Sequence, residues 1–194
     1  VRIATVVNFP GGDDAIDDVV ALTTEALADG ADEIDLVLPY KAFLSGDRAA
    51  AGAMIQAVRD AVPPPARLKV ILETGELTAP DTIRAASEMA VRLGADFIKT
   101  STGKTPRSAS LEATEVMLEV IHGAGRPVGL KPSGGIRTLG DATEYLAQAD
   151  RIMGAGWATP TTFRFGASGL LTALEAAIDG EASATSADST KESY

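Results

Sequence analysis

Short apolar runs alternate along the chain with longer segments whose apolar residues recur at helical spacing. The runs 2–7, 33–38, 67–72, 96–100, 127–131 and 150–153 read as strands, and the segments near 13–29, 47–61, 80–93, 111–122, 138–148 and 168–179 as helices. In the first helical segment Ile16, Val19, Val20, Leu22 and Ala26 fall mostly on one face. Ser110, followed by Glu112 and Glu115, has the chemistry of a helix start, where a hydroxyl caps free N–H groups and carboxylates favour the dipole. Gly30, Gly94 and Gly123 fall where helices end. A strand–helix unit recurring about every 30 residues predicts a parallel sheet.

Two architectures carry such a sheet. A doubly wound open sheet would show a G-x-G-x-x-G after its first strand. Here that strand runs into Asn8-Phe9-Pro10-Gly11-Gly12, which does not match. A TIM (β/α)₈ barrel instead places reactive residues at the carboxyl ends of several strands and a phosphate site after the last two. The barrel fits better, with about six of its eight βα units counted. Val1-Arg2-Ile3 reads as a strand already under way and no initiator Met precedes it, so the expectation is an N-terminally incomplete chain lacking the first two units. Residues 1–179 are expected to form one barrel domain and 180–194, small and polar, a mobile tail. Strands at 2–7 and 150–153 would be open edges that invite another chain, so a homodimer is kept in view.

Charge and composition narrow the partners. The net charge is −10, which argues against nucleic acid and against an anionic membrane surface. There are no cysteines, hence neither a disulfide framework nor thiolate chemistry. No apolar run approaches the roughly 18 residues needed to span a bilayer. A soluble cytoplasmic protein acting on small molecules is the default expectation.

Lys99 is the most informative residue. It ends the apolar run Ala95-Asp96-Phe97-Ile98 and is followed by Thr100-Ser101-Thr102-Gly103-Lys104. Lys131 ends Val128-Gly129-Leu130 in the same way. Burial and a neighbouring cation both favour the free amine of a lysine, which is the form that attacks a carbonyl. Two strand-end lysines therefore point to a Schiff-base pair, although each alone could simply reach solvent. Asp35 lies within Glu33-Ile34-Asp35-Leu36-Val37, on the side of Val37, and would be buried. Near two lysines it could relay protons, or form a structural ion pair. Asp32 and Glu33 are expected to be solvated. Gly134-Gly135-Ile136-Arg137 and Gly166-Ala167-Ser168 each follow a strand and open a helix, where backbone N–H groups can cradle phosphate, and Gly103-Lys104 adds a cation. Glycine pairs also occur in ordinary turns, so the argument rests on three loops converging. His122, the sole histidine, sits near a helix C-terminus and reads as structural. One histidine and no cysteine make a zinc site improbable. Trp157 and Tyr40 read as packing residues.

Taken together, the run from Ala95 to Lys104, with Asn8-Phe9-Pro10, Asp32-Glu33-Ile34-Asp35, Glu73-Thr74-Gly75-Glu76-Leu77, Gly129 to Arg137 and Arg164 to Ser168, closely resembles the deoxyribose-phosphate aldolase family. The resemblance spans nearly the whole chain. It implies a class I aldolase on a (β/α)₈ barrel, active in deoxyribonucleotide catabolism. Such an enzyme reversibly cleaves 2-deoxy-D-ribose 5-phosphate to acetaldehyde and D-glyceraldehyde 3-phosphate without metal or organic cofactor. By resemblance Lys99 forms the Schiff base, Lys131 lowers its pKa and shares its protons, and Asp35 acts in proton transfer. The phosphate falls to Thr102, Gly103, Lys104, Gly134, Gly135, Arg137, Gly166 and Ser168. Gly169 stands where a second serine often follows, so one phosphate contact is expected to be lost. Tyr194 matches the terminal tyrosine that assists proton transfer in such proteins. Three rivals remain: a Schiff-base aldolase for another phosphorylated substrate, a non-catalytic phosphosugar-binding fragment, and an incomplete chain that folds only by associating with another copy or with the missing segment.

Overall fold

The computed structural model describes residues 1–180. Its elements run β1 (Ala4–Val7), α1 (Ile16–Ala28), β2 (Glu33–Val37), α2 (Tyr40–Leu44), α3 (Arg48–Ala61), β3 (Arg67–Ile71), α4 (Thr74–Leu77), α5 (Pro80–Arg92), β4 (Phe97–Lys99), α6 (Leu111–His122), β5 (Gly129–Lys131), α7 (Leu139–Met153) and α8 (Ser168–Ile178). Every strand pairing is parallel, and the sheet order is β1-β2-β3-β4-β5. Chain order equals spatial order, with no reversal. That is the winding of a barrel wall, whereas a doubly wound sheet turns back at a switch point.

Helix starts follow local chemistry. Ser110 accepts from the Ala113 N–H, and Asp47 from that of Ala50. Thr138 and Asp141 form a reciprocal capping box at the start of α7. Gly30 and Gly94 take the left-handed backbone just past α1 and α5, whereas Gly123 is itself the right-handed cap of α6.

One strand expected from the sequence is absent. Residues 150–153 are the last turn of α7, which the capping box launches and which continues past Tyr145 and Ala149 on its buried face. A four-residue apolar stretch is too short for periodicity to separate strand from helix. The sixth wall position belongs instead to 162–166. The Leu130 N–H donates to Thr162 O (2.8 Å) and the Arg164 N–H to Leu130 O (3.0 Å). Parallel bridges join Leu130 to Phe163 and Ser133 to Gly166.

Register determines what fills the interior, because neighbours across a parallel sheet point the same way and every second residue returns to the same face. Ala4, Glu33 and Arg67 form the layer nearest the amino ends of the strands. Val6, Asp35, Lys69, Phe97 and Gly129 form the next. Val37, Ile71, Lys99 and Lys131 form the layer at the carboxyl rim. Gly129 yields its place to an aromatic ring, since a Cβ there would lie 2.2 Å from Phe97. The opposite face of the sheet, with Ile34, Leu36, Leu68, Val70 and Ile98, is fully buried and aliphatic. Tyr40 is buried and Trp157 packs edge-on to Phe163, both as packing residues. Among the described residues no helix is long and apolar enough to cross a membrane. The tail and Tyr194 lie outside the described residues.

Candidate active site

Two charged layers stack inside the wall. Asp35 and Lys69 are register partners in adjacent strands, and Lys69 Nζ donates to Asp35 Oδ1 at 2.6 Å. One layer up, Lys99 and Lys131 are register partners, and both reach back to the other carboxylate oxygen. Lys99 Nζ lies 3.1 Å and Lys131 Nζ 3.2 Å from Asp35 Oδ2. The three residues singled out from sequence thus meet at one atom. Lys99 is 9% exposed, so its amine opens just onto the rim.

Burial pushes the Asp35 carboxyl upward, but the charges of Lys99, Lys131 and Lys69 and the hydrogen bond from Lys69 outweigh it and hold the group at about 2. Burial drives Lys131 below the usual lysine value. Asp35 opposes that shift, while the charges of Lys99 and Lys69 reinforce it.

The network continues away from the rim through residues the sequence did not reveal. Lys69 is fully buried and also contacts Glu33 Oε2 at 2.6 Å. Glu33 was expected in solvent but is 1% exposed, which corrects that reading. Arg164 closes the chain at 2.5 Å from the same Glu33 oxygen and stacks on Phe97, 4.9 Å from the ring centroid. Burial raises the Glu33 carboxyl, but hydrogen bonds from Arg164 and Lys69 and their charges bring it down to about 2. The signal for Lys69 was its place in the middle of a strand, in phase with Asp35. Asp32, by contrast, is exposed as expected and accepts from the Ile3 N–H.

Beside this cluster lies a cavity of about 390 Å³ lined by Gly134, Gly135, Ile136, Arg137, Gly166, Ala167, Ser168 and Gly169. It collects the glycine loops expected from sequence. The loops touch closely, since a Cβ on Gly166 would lie 2.0 Å from Ser133 Oγ. Not every N–H there is free: that of Gly134 donates to Gly166 O, that of Gly166 to Pro132 O and that of Arg137 to Asp141. The first turn of α8 has no side-chain cap, so its N–H groups and dipole face the cavity. Lys104 is exposed and Gly103 packs beside Gly134, where a Cβ would lie 3.8 Å from Gly103 Cα. Thr102 is arranged differently from expectation: both its N–H and its hydroxyl donate to Glu73 Oε2. His122 is exposed at the end of α6 and takes no part in either cluster. Among the described residues no group of three or more His, Asp or Glu side chains converges as a metal-ligand set.

Comparison with known proteins bears on the family and the fold. The family description "DeoC/LacD family aldolase" matches residues 1–175. A deoxyribose-phosphate aldolase from Agrobacterium fabrum is 58% identical over 171 residues, covering 88% of this chain, which spans 66% of that relative's length. The apo crystal structure of a candidate deoxyribose-phosphate aldolase from Toxoplasma gondii ME49 superposes with a TM-score of 0.84 at 28% identity, over 93% of this chain and 72% of the other. The Aeropyrum pernix deoxyribose phosphate aldolase, described as a unique tetramer, gives a TM-score of 0.71 at 25% identity, over 92% and 68% of the two chains. With the family pattern covering nearly all of it, the chain belongs to the DeoC/LacD family of aldolases.

Proposed function

We propose that this chain is the greater part of a deoxyribose-phosphate aldolase that cleaves and forms 2-deoxy-D-ribose 5-phosphate through an imine on Lys99. The observation that carries this reading is the sharing of Asp35 Oδ2 by Lys99 and Lys131 at the open rim of the barrel wall. In the synthetic direction the free amine of Lys99 attacks the carbonyl carbon of acetaldehyde. Loss of water leaves an iminium, whose positive nitrogen draws electrons from the neighbouring methyl group. The Asp35–Lys131 pair takes a methyl proton and leaves an enamine. Its carbon attacks the aldehyde of glyceraldehyde 3-phosphate, the new alkoxide takes a proton back, and water releases the product from Lys99. The phosphate would lie in the glycine-lined cavity, held by the first turn of α8 with Ser168, by Gly103, Gly134, Gly135, Gly166 and Arg137, and by the exposed Lys104. In this reading residues 1–179 act as one domain.

Borohydride reduction in the presence of acetaldehyde tests it. A single reduced ethyl adduct is expected on the peptide carrying Lys99. No adduct there, or labelling spread over surface lysines, would leave the non-catalytic binding fragment as the better account.

A second copy of the chain is the partner proposed. Supporting it, β1 is paired on one side only among the described residues, and Val6 on it and Ile3 just before it are 37% and 62% exposed. Light scattering is expected to show mass rising with concentration; a constant monomer mass would remove the dimer.

A further inference from the structure

Glu73 has no place in the imine chemistry, yet the fold holds it under unusual constraint. It follows β3 with φ 58° and ψ 60°, a left-handed backbone that costs a non-glycine residue about 1 kcal/mol or more. Its side chain is fully buried. A buried carboxylate in a strained position persists only when its surroundings over-determine it. Here the surroundings are a single loop. Oε2 accepts from the N–H (3.2 Å) and the hydroxyl of Thr102, and Oε1 lies 3.2 Å from the hydroxyl of Thr105, whose one hydrogen is shared with Arg107 O at 2.9 Å. The adjoining backbone reinforces the grip: the Thr74 N–H donates to Thr100 O at 2.8 Å, and Gly75 lies so close that a Cβ would sit 2.3 Å from Arg107 O. On its far side the same loop meets the glycine cavity, with the Ala109 N–H donating to Ser133 O at 3.2 Å and Gly103 packed beside Gly134.

Resting on the aldolase reading, we propose that Glu73 is a positioning residue that presets the Thr102–Lys104 loop for the substrate's phosphate. It acts by consuming donors. With the N–H and hydroxyl hydrogen of Thr102 committed to Glu73, the Thr102 oxygen is left as an acceptor and takes the Lys104 N–H at 3.0 Å. The turn is thereby closed from inside. The Gly103 N–H and the Lys104 ammonium are the donors that remain for an anion. Thr102 therefore serves as a strut between Glu73 and Lys104, and its own donors do not meet the phosphate.

The test compares the natural chain with Glu73→Gln and Thr105→Val. A glutamine oxygen can still receive Thr102, but its NH₂ would have to donate to the Thr105 oxygen without a carboxylate's charge, and Thr105→Val removes that arm altogether. Inorganic phosphate binding, followed by calorimetry, is expected to weaken about tenfold in each, the range found when a supporting hydrogen bond is lost. KM for 2-deoxyribose 5-phosphate should rise by a similar factor, while borohydride trapping of acetaldehyde on Lys99 stays at the natural level. Phosphate binding that is unchanged, or tighter because a negative charge has gone, overturns the proposal whether or not the sugar is turned over. Equal loss of trapping and of phosphate binding would assign Glu73 a general structural role and overturn it too. Absence of trapping in the natural chain, with phosphate binding weakened in both variants, would instead count against the aldolase reading alone.

Discussion

Replacement of Lys99 by leucine is expected to lower turnover of 2-deoxyribose 5-phosphate by at least about 10⁴-fold and to abolish the borohydride-trapped adduct. No other described amine is placed to substitute. Lys131 shares the Asp35 oxygen with Lys99 but ends the next strand along, so its amine starts from a different wall position. Lys69 is sealed in the layer below with no exposed surface. The variant should still fold, because Asp35 keeps two of its three cationic neighbours and leucine fills most of the volume of the lysine stem. Circular dichroism would confirm native helix content alongside the kinetics. Residual turnover within tenfold of the natural chain, with the fold intact, would remove Lys99 from the role of nucleophile.

The second large effect concerns stability. Lys69→Met should cost about 3–5 kcal/mol, the range seen when one partner of a buried ionic group is deleted. Among the described residues Lys69 is the one side chain bonded to both Glu33 and Asp35, at 2.6 Å each, and its removal leaves two buried carboxylates with less than their present compensation. The pH dependence has a definite sign. Both carboxyls are depressed from ordinary values of 4.5 and 3.8 to about 2, so their contribution is fully present above about pH 4–5 and is lost as the pH falls toward 2. Without Lys69 both should titrate higher, and acid unfolding should begin at a higher pH. Urea titrations at neutral and mildly acidic pH would measure both effects. A cost below about 1 kcal/mol, with an unmoved acid limb, would mean that Arg164, Lys99 and Lys131 already suffice.

What could be read from sequence follows a physical division. Asp35, Lys99 and Lys131 stood out because a charge inside or at the end of an apolar strand is anomalous in isolation. The glycine loops stood out because backbone N–H groups need little else to hold an anion. Glu33 and Lys69 did not, because their burial is a property of pairing: only the register that sets Asp35 opposite Lys69 brings Glu33 within reach of the same ammonium. Arg164 is more remote still, arriving on the segment that replaces the strand expected at 150–153. That segment makes two isolated bridges and no continuous ladder, so it leaves little alternating pattern to detect. Glu73 was visible only as one letter of a motif; its role depends on a backbone angle and on a loop about thirty residues away.

The interior column has a consequence at the scale of the whole molecule. Four cationic side chains, Arg164, Lys69, Lys99 and Lys131, meet two carboxylates inside a chain that carries −10 overall. The sign of the potential therefore inverts between skin and cleft. A bulky polyanion experiences mainly the surface and is turned away. A small anion able to enter the rim experiences the column, whose field is concentrated by its low-dielectric walls. Small anions are therefore expected to bind in preference to large ones, with the preference weakening as added salt thins the repulsion at the surface.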